Sequence, residues 1–262
     1  MPGKVTIGVH LQTQNGALDE YGSAWLRADA LGIDAIWNWD HFFNPLPNEP
    51  VEELPNFEAW TTLAAFGAQT KHAQVGCLVL SMSYRNPALL SFMASTLDQI
   101  THGRLILGVG AGWFERDYTE FGYPFGTAGE RLRGLERGLI AIKERWAKDP
   151  LKPVRGEVPI LIGGGGEKVT LRLVAEHAQQ LNGGGNPAEF AAKSAILNDW
   201  CAKVGRDPST IVRTTSIHQH QIPLIDDYLA AGVQQIIVRV PAPWDFGPIE
   251  PLLAWRDKVN GS

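Results

Sequence analysis

The stretch "QVGCLVLSMSYRNPALLSFMASTLDQITHGRLILGVGAG" (74–112) holds one complete folding unit. Gln74–Leu80 and Leu105–Val109 are short apolar runs of strand character. Between them, Pro87–Ile100 carries apolar residues at helical spacing. Asn86 stands where its side chain can accept from the first free N–H groups, and Pro87 takes the first helical position, where no donor is needed. Two strands joined through a helix run parallel, because the crossover returns the chain to the same edge of the sheet. Both runs are apolar on successive residues, as strands covered on both faces are. The second ends on Gly110-Ala111-Gly112 and opens into aromatics and charges, "WFERDYTEFGYPF" (113–125).

The alternation extends in both directions. Upstream, strand patterns at Val5–Leu11 and Ala35–Trp39 alternate with helical patterns at Tyr21–Leu31, stopped by Gly32, and Phe57–Gln69. Downstream, strands at Val158–Ile162, Gln180–Asn182, Ile211–Ile217 and Gln235–Val240 alternate with helices at Gly129–Trp146, Lys168–His177, Pro187–Val204, Leu224–Ala231 and Ile249–Val259. Gly205 is placed to end the helix before it. Eight strand–helix units in 262 residues predict an α/β fold, a (β/α)8 TIM barrel. A doubly wound open sheet is the alternative. Linkers are short and composition does not shift, so residues 1–262 read as a single domain.

Composition narrows the function. With 44% hydrophobic and 19% charged residues, the chain has a globular balance. The net charge of -5 and the lack of a basic block argue against nucleic acid as a partner. No apolar run reaches the roughly 20 residues of a membrane span. Met1-Pro2-Gly3-Lys4-Val5 leads almost directly into a strand, so no signal peptide is expected. Cys77 and Cys201 read as reduced, buried thiols, which fits a cytoplasmic setting.

In a barrel the chemistry sits at the C-terminal ends of the strands. His10, Gln12 and Gln14 follow the first strand; Trp39, Asp40 and His41 the second; Ser81, Ser83 and Arg85 the third. Asp40-His41 is the best polar candidate, since a histidine can move protons near neutral pH and an aspartate can fix its tautomer. The pair reads equally as a helix-capping Asp and a loop His. Gly163-Gly164-Gly165-Gly166, with Glu167 after it, precedes a helix and could cradle a phosphate on main-chain N–H groups. A tight turn is the plain alternative, although four consecutive glycines carry a large entropy cost. Gly110-Ala111-Gly112 leaves room for a flat group against the backbone, or packs as a close turn. Asn182 and Gly183–Gly185 end the sixth strand. His218 and His220 would share a strand face, but no metal-ligand spacing accompanies them, and no metal is expected.

These segments together resemble the luciferase-like monooxygenase superfamily, and within it the branch that uses the deazaflavin coenzyme F420. The resemblance rests on "IWNWDHFF" (36–43), on 74–125, on "GERLRGLERGL" (129–139) and on "PILIGGGGEKVTLRLVAEHAQQLNG" (159–183). It implies a bacterial luciferase-like barrel with a flavin-like ring in its mouth. Asp40 and His41 match the Asp-His beside the ring, where the histidine takes part in proton movement or stabilises the intermediate. The resemblance places a non-proline cis peptide at Leu78-Val79, or one residue earlier at Cys77-Leu78. It sets Gly110, Ala111 and Gly112 beside the cofactor, and Gly163–Gly166 with Glu167 around its phosphate tail. Trp39, Trp113 and Phe114 are then expected to wall the substrate side.

Some F420 dehydrogenases carry Glu directly after the strand-four glycine. Trp113 stands there instead, with Glu115 two residues on, which disfavours sugar-phosphate chemistry. The connections 147–158 and 217–223 are short where relatives carry insertions. That implies a more open pocket, or one completed by a second subunit of a homodimer. The function implied is hydride transfer between F420 and a small-molecule substrate. The alternatives are an FMN-dependent monooxygenase using reduced flavin and oxygen, and a non-catalytic flavin-binding barrel.

Overall fold

A computed structural model describes residues 4–45 and 56–261. The strands are β1 (Thr6–Leu11), β2 (Ala35–Asn38), β3 (Gln74–Cys77), β4 (Leu80–Ser81), β5 (Leu105–Gly110), β6 (Ile160–Gly163), β7 (Gln180–Gly183), β8 (Val212–Ile217) and β9 (Gln235–Val240). All their pairings are parallel. The order β3-β2-β1-β9-β8-β7-β6-β5-β4, with β3 also paired to β5, closes the sheet into a barrel. β3 and β4 are one barrel strand in two pieces, so the barrel has the eight strands that the sequence predicts. The break falls at a cis peptide bond between Leu78 and Val79.

The helices are α1 (Leu18–Ala30), α2 (Ala59–Gly67), α3 (Pro87–Ile100), α4 (Glu115–Glu120), α5 (Ala128–Lys148), α6 (Thr170–His177), α7 (Pro187–Val204), α8 (Ile225–Ala230) and α9 (Glu250–Asn260). Their ends follow local chemistry. Asn86 Oδ1 accepts from Ala88 N at 2.9 Å and Leu89 N at 3.2 Å, starting α3. Thr127 and Glu130 form a reciprocal capping box at α5. Gly205 ends α7 in the left-handed conformation at φ 69°. Two features differ from the sequence reading. The six-residue α4 breaks the segment after β5. His218 and His220 lie past the end of β8, in a 3-10 turn (Gln219–Leu224) and at its cap, so they do not share a strand face. None of the described helices is long and apolar enough to cross a membrane.

The core has two layers. Outward-facing strand residues and inward-facing helix residues, such as Ile7, Val9, Leu90, Leu139 and Val174, form the shell between barrel and helices. Each such side chain contributes roughly 1.5–3 kcal/mol when fully buried. Inside the barrel, Trp37 packs with Ala35, Ile106, Leu161 and Ile237 as a plug. Strand side chains alternate between faces, so the inner positions two residues further on are His10, Trp39 and Arg239. These, with Leu78 and Asn182, form the layer above the plug, at the C-terminal mouth. Cys77 and Cys201 are buried free thiols. Burial, and then the charge of Asp40, pushes the Cys77 thiol well above its ordinary pKa, which leaves it unreactive.

Candidate active site

Two cavities open at the mouth. The first, about 380 Å³, is walled by Asp40, His41, the Leu78-Val79 bulge, Gly110–Gly112, and Gly163 with Gly164. The second, about 340 Å³, is walled by His10, Trp39, Ser216 and Arg239 among others. His41, Leu78, Trp113 and Asn182 belong to both walls. The tetraglycine bend therefore opens onto the same cavity as the Asp40-His41 pair. Only its first half lines that wall; Gly165, Gly166 and Glu167 carry the bend onward outside it.

Glycine at two of these positions answers a packing demand. A Cβ on Gly110 would lie 2.7 Å from Val79 Cγ2, and one on Gly163 2.9 Å from Val79 Cγ1. The space left by their missing side chains is filled by Val79. The bulge so held presents Leu78 toward the cavities.

Asp40 is buried, and both its oxygens are engaged. Arg85 Nη1 donates to Oδ2 at 2.7 Å and Nη2 to Oδ1 at 2.9 Å, while Ser81 N donates to Oδ2 at 3.0 Å. Arg85 also pairs with Glu58, the N-cap residue of α2. Burial works against the Arg85 charge, but its bonds to Asp40 and Glu58 outweigh it and raise its pKa above the ordinary arginine value. A carboxylate saturated in this way has the geometry of a positioning group. It ties the end of β2 to β4, immediately after the bulge.

His41 is held by a residue the sequence reading passed over. Its Nδ1 lies 2.7 Å from Oδ2 of Asp117 on α4. Asp117 is fully buried and also accepts from Phe42 N at 3.0 Å, Phe43 N at 3.2 Å and Tyr84 Oη at 3.3 Å. A carboxylate only accepts, so Nδ1 carries the hydrogen and Nε2 is left for other partners. No described residue hydrogen-bonds to Nε2. The rings of Trp39, Trp113 and Phe114 meet the imidazole edge-on at 5.3, 5.7 and 5.8 Å. Trp113 is 62% exposed, at the rim. Phe114 touches His41 without lining either cavity, whereas Trp39 lines the second.

The next residue on α4, Tyr118, has its hydroxyl 2.9 Å from Ser81 Oγ. α4 thus returns the charged segment 113–125 to the ends of β2 and β4, and this is why a buried strand ends on small residues before it. Gly112 makes the turn at φ 76°, where a Cβ would meet Tyr118 Oη at 1.8 Å.

At the glycine bend, Gly164 N donates to Asn182 O at 3.0 Å. Among the described residues, the N–H groups of Gly165, Gly166 and Glu167 find no protein acceptor. Glu167 turns its side chain away, to Lys193 of α7. Lys193 sets a cation beside the bend, a second residue that sequence spacing did not flag.

A family model described as luciferase-like monooxygenase matches residues 4–221. An uncharacterized protein of Mycobacterium tuberculosis (strain ATCC 25618 / H37Rv) is 28% identical over 221 residues, covering 78% of this chain and 75% of that protein. An F420-dependent glucose-6-phosphate dehydrogenase of Microbacterium testaceum (strain StLB037) is 30% identical over 198 residues, covering 68% of this chain and 57% of that protein. Among solved structures, an F420-dependent secondary alcohol dehydrogenase in complex with an F420-acetone adduct superposes with a TM-score of 0.80 at 16% identity, covering 94% of this chain and 96% of that one. At that identity the likeness speaks to the fold alone.

Proposed function

The chain belongs to the luciferase-like monooxygenase family, and we propose that it is an oxidoreductase transferring a hydride between coenzyme F420 and a small organic substrate. The observation that carries this reading is the His41–Asp117 pair at 2.7 Å, set where two cavities meet. One cavity has the size of a cofactor site and ends at the glycine bend; the other adjoins it across His41. The F420-dependent relative at 30% identity supports this choice of cofactor.

The residues present fit the group. The first cavity is faced by the flat backbone of the bulge and by Ala111, which suits a planar ring. The N–H groups of Gly165–Glu167, without Cβ atoms over the glycines and with Lys193 nearby, suit an anionic tail. When bound, F420 supplies or accepts a hydride at C5 of its deazaflavin ring. His41 handles the proton that accompanies it: Nε2 gives a proton to the substrate heteroatom, or takes one from it. Asp117 holds the ring in one tautomer and stabilises the imidazolium in the charged state. Asp40, neutralised by Arg85, acts as a positioning residue that fixes the bulge. Trp39 and Trp113 exclude water from the region between the cavities.

Side-by-side equilibrium titration with F420 and FMN, read by fluorescence, tests the reading. F420 binding at the lower Kd is expected, with His41→Ala retaining that affinity while losing turnover. Tighter FMN binding would replace it with the flavin monooxygenase reading, and no binding of either would end it. Cofactor bound without turnover across a broad panel of carbonyl and alcohol substrates would leave a binding barrel without catalysis.

A further inference from the structure

His10 and Arg239 face one another in register across β1 and β9 and share the wall of the second cavity. His10 is 4% exposed, and neither ring nitrogen has a hydrogen-bond partner. Its ring packs edge-on against Trp39 at 5.4 Å. Arg239 is half-buried. Its Nε lies 3.3 Å from Ser216 Oγ and its Nη1 3.3 Å from His218 Nε2. Among the described residues no carboxylate pairs with it. This contrasts with Arg85, which holds two carboxylates at the other side of the same mouth.

Buried polar side chains are normally hydrogen-bonded, and desolvated charges normally paired. Here a guanidinium with Nη2 unengaged faces the cavity, and beside it in the wall stands an imidazole whose two nitrogens are covered and without partners. The rest of the wall is mixed: Trp39, Trp113, Leu78 and Pro45 give it aromatic and aliphatic surface, and His41, Asn182 and Ser216 are polar. We propose that the second cavity takes a substrate bearing a single carboxylate on an apolar or aromatic body, with the Arg239 fork gripping the carboxylate and the body packed against Trp39, Trp113 and Leu78. The hydride-transfer reading is what makes the bound molecule a substrate; the binding itself does not depend on it.

Charge balance selects the carboxylate. Among the described residues Arg239 is the one cationic side chain in that wall. Burial, then Arg239 and His41, lowers the His10 pKa to about 3, so His10 stays neutral. One positive charge is matched by one negative charge, whereas a phosphate monoester dianion would leave a charge uncompensated in a partly desolvated site. The planar fork also matches a carboxylate in two parallel hydrogen bonds.

The test uses the full chain without cofactor and follows tryptophan fluorescence, since Trp39 and Trp113 line the cavity. Benzoate, benzamide and phenyl phosphate are titrated into the wild type and into Arg239→Gln, with F420 titrated into both in parallel. Saturable benzoate binding is expected, weakened at least tenfold in Arg239→Gln, with benzamide weaker and insensitive to the substitution. F420 affinity is expected to be equal in the two proteins. Arg239→Lys keeps the charge and loses the fork; an intermediate loss there supports the proposal if Arg239→Gln does not fold. Benzoate binding that ignores both substitutions, or no benzoate binding at all, overturns it. So does tighter binding of phenyl phosphate, or an F420 affinity that falls in step with that of benzoate. Arg239-dependent benzoate binding by a protein that binds no F420 would sustain the carboxylate site and refute only the cofactor assignment.

Discussion

On the β2–β5 side of the mouth, Asp40 and Asp117 are buried and every oxygen has a donor. On the β1–β9 side, His10 and Arg239 occupy the same layer of the barrel with hydrogen-bonding capacity left over. The first side is finished by the protein itself; the second is left for something else to finish. A saturated network fixes geometry, and here it fixes the bulge and the His41 tautomer. An unsaturated one stores affinity for a ligand, at some expense in folding stability.

The largest way to break the contrast is to unsaturate the finished side. Arg85→Ala leaves the Asp40 carboxylate buried with only the Ser81 N–H, and should lower unfolding stability in urea by about 3–5 kcal/mol. Arg239→Ala, made as its counterpart, should leave stability unchanged or raise it. A smaller effect follows from Asp117→Asn, which keeps the shape but lets Nδ1 of His41 lose its carboxylate acceptor. The turnover number should fall on the order of 10²-fold, with F420 affinity unchanged by equilibrium titration. Next comes Gly163→Ala, whose Cβ would press on Val79 from 2.9 Å. A loss of about 1–3 kcal/mol is expected in thermal or urea unfolding, as for other overpacked sites.

The effect that is smallest at neutral pH, and grows on acidification, sharpens the unfinished side. In the folded protein the His10 pKa lies near 3, below its ordinary value of 6.5. Between these values the unfolded chain takes up a proton that the folded one refuses. The neutral ring is therefore harmless above pH 6.5, and stability falls as pH drops below it, by up to about 1.4 kcal/mol per pH unit from this one group. In His10→Leu that share of the slope should vanish when melting temperature is followed from pH 7 to pH 4.

The frame was legible in the sequence because it rests on local rules: period-two and helical patterns, the Asn86-Pro87 start and the Gly205 stop. What escaped was what local rules do not encode. α4 is six residues of mixed charge with no periodicity, so Asp117 gave no signal that it meets His41, 76 positions away in sequence. The packing of Gly110 and Gly163 against Val79 needs three strands brought together. Arg239 did leave a trace. In "QIIVRV" (235–240) it alternates with Gln235 and Ile237, which places it inward at the end of the last strand. Asp40 stands out in the sequence because of its neighbour His41; nothing in the spacing ties it to Arg85, 45 positions on, which donates to its carboxylate.

α4 also bears on how such a barrel could be re-aimed. Loops at the mouth of this architecture are usually exchanged freely to change specificity. The segment after β5 is a poor candidate for such grafting, because it delivers Asp117 to His41 and Tyr118 to Ser81. Replacing it wholesale would discard the carboxylate that holds His41 and the hydroxyl that meets Ser81. Diversification would do less harm at the rim formed by Ser216, His218 and Arg239, where the chain binds nothing of its own that the rest of the mouth depends on.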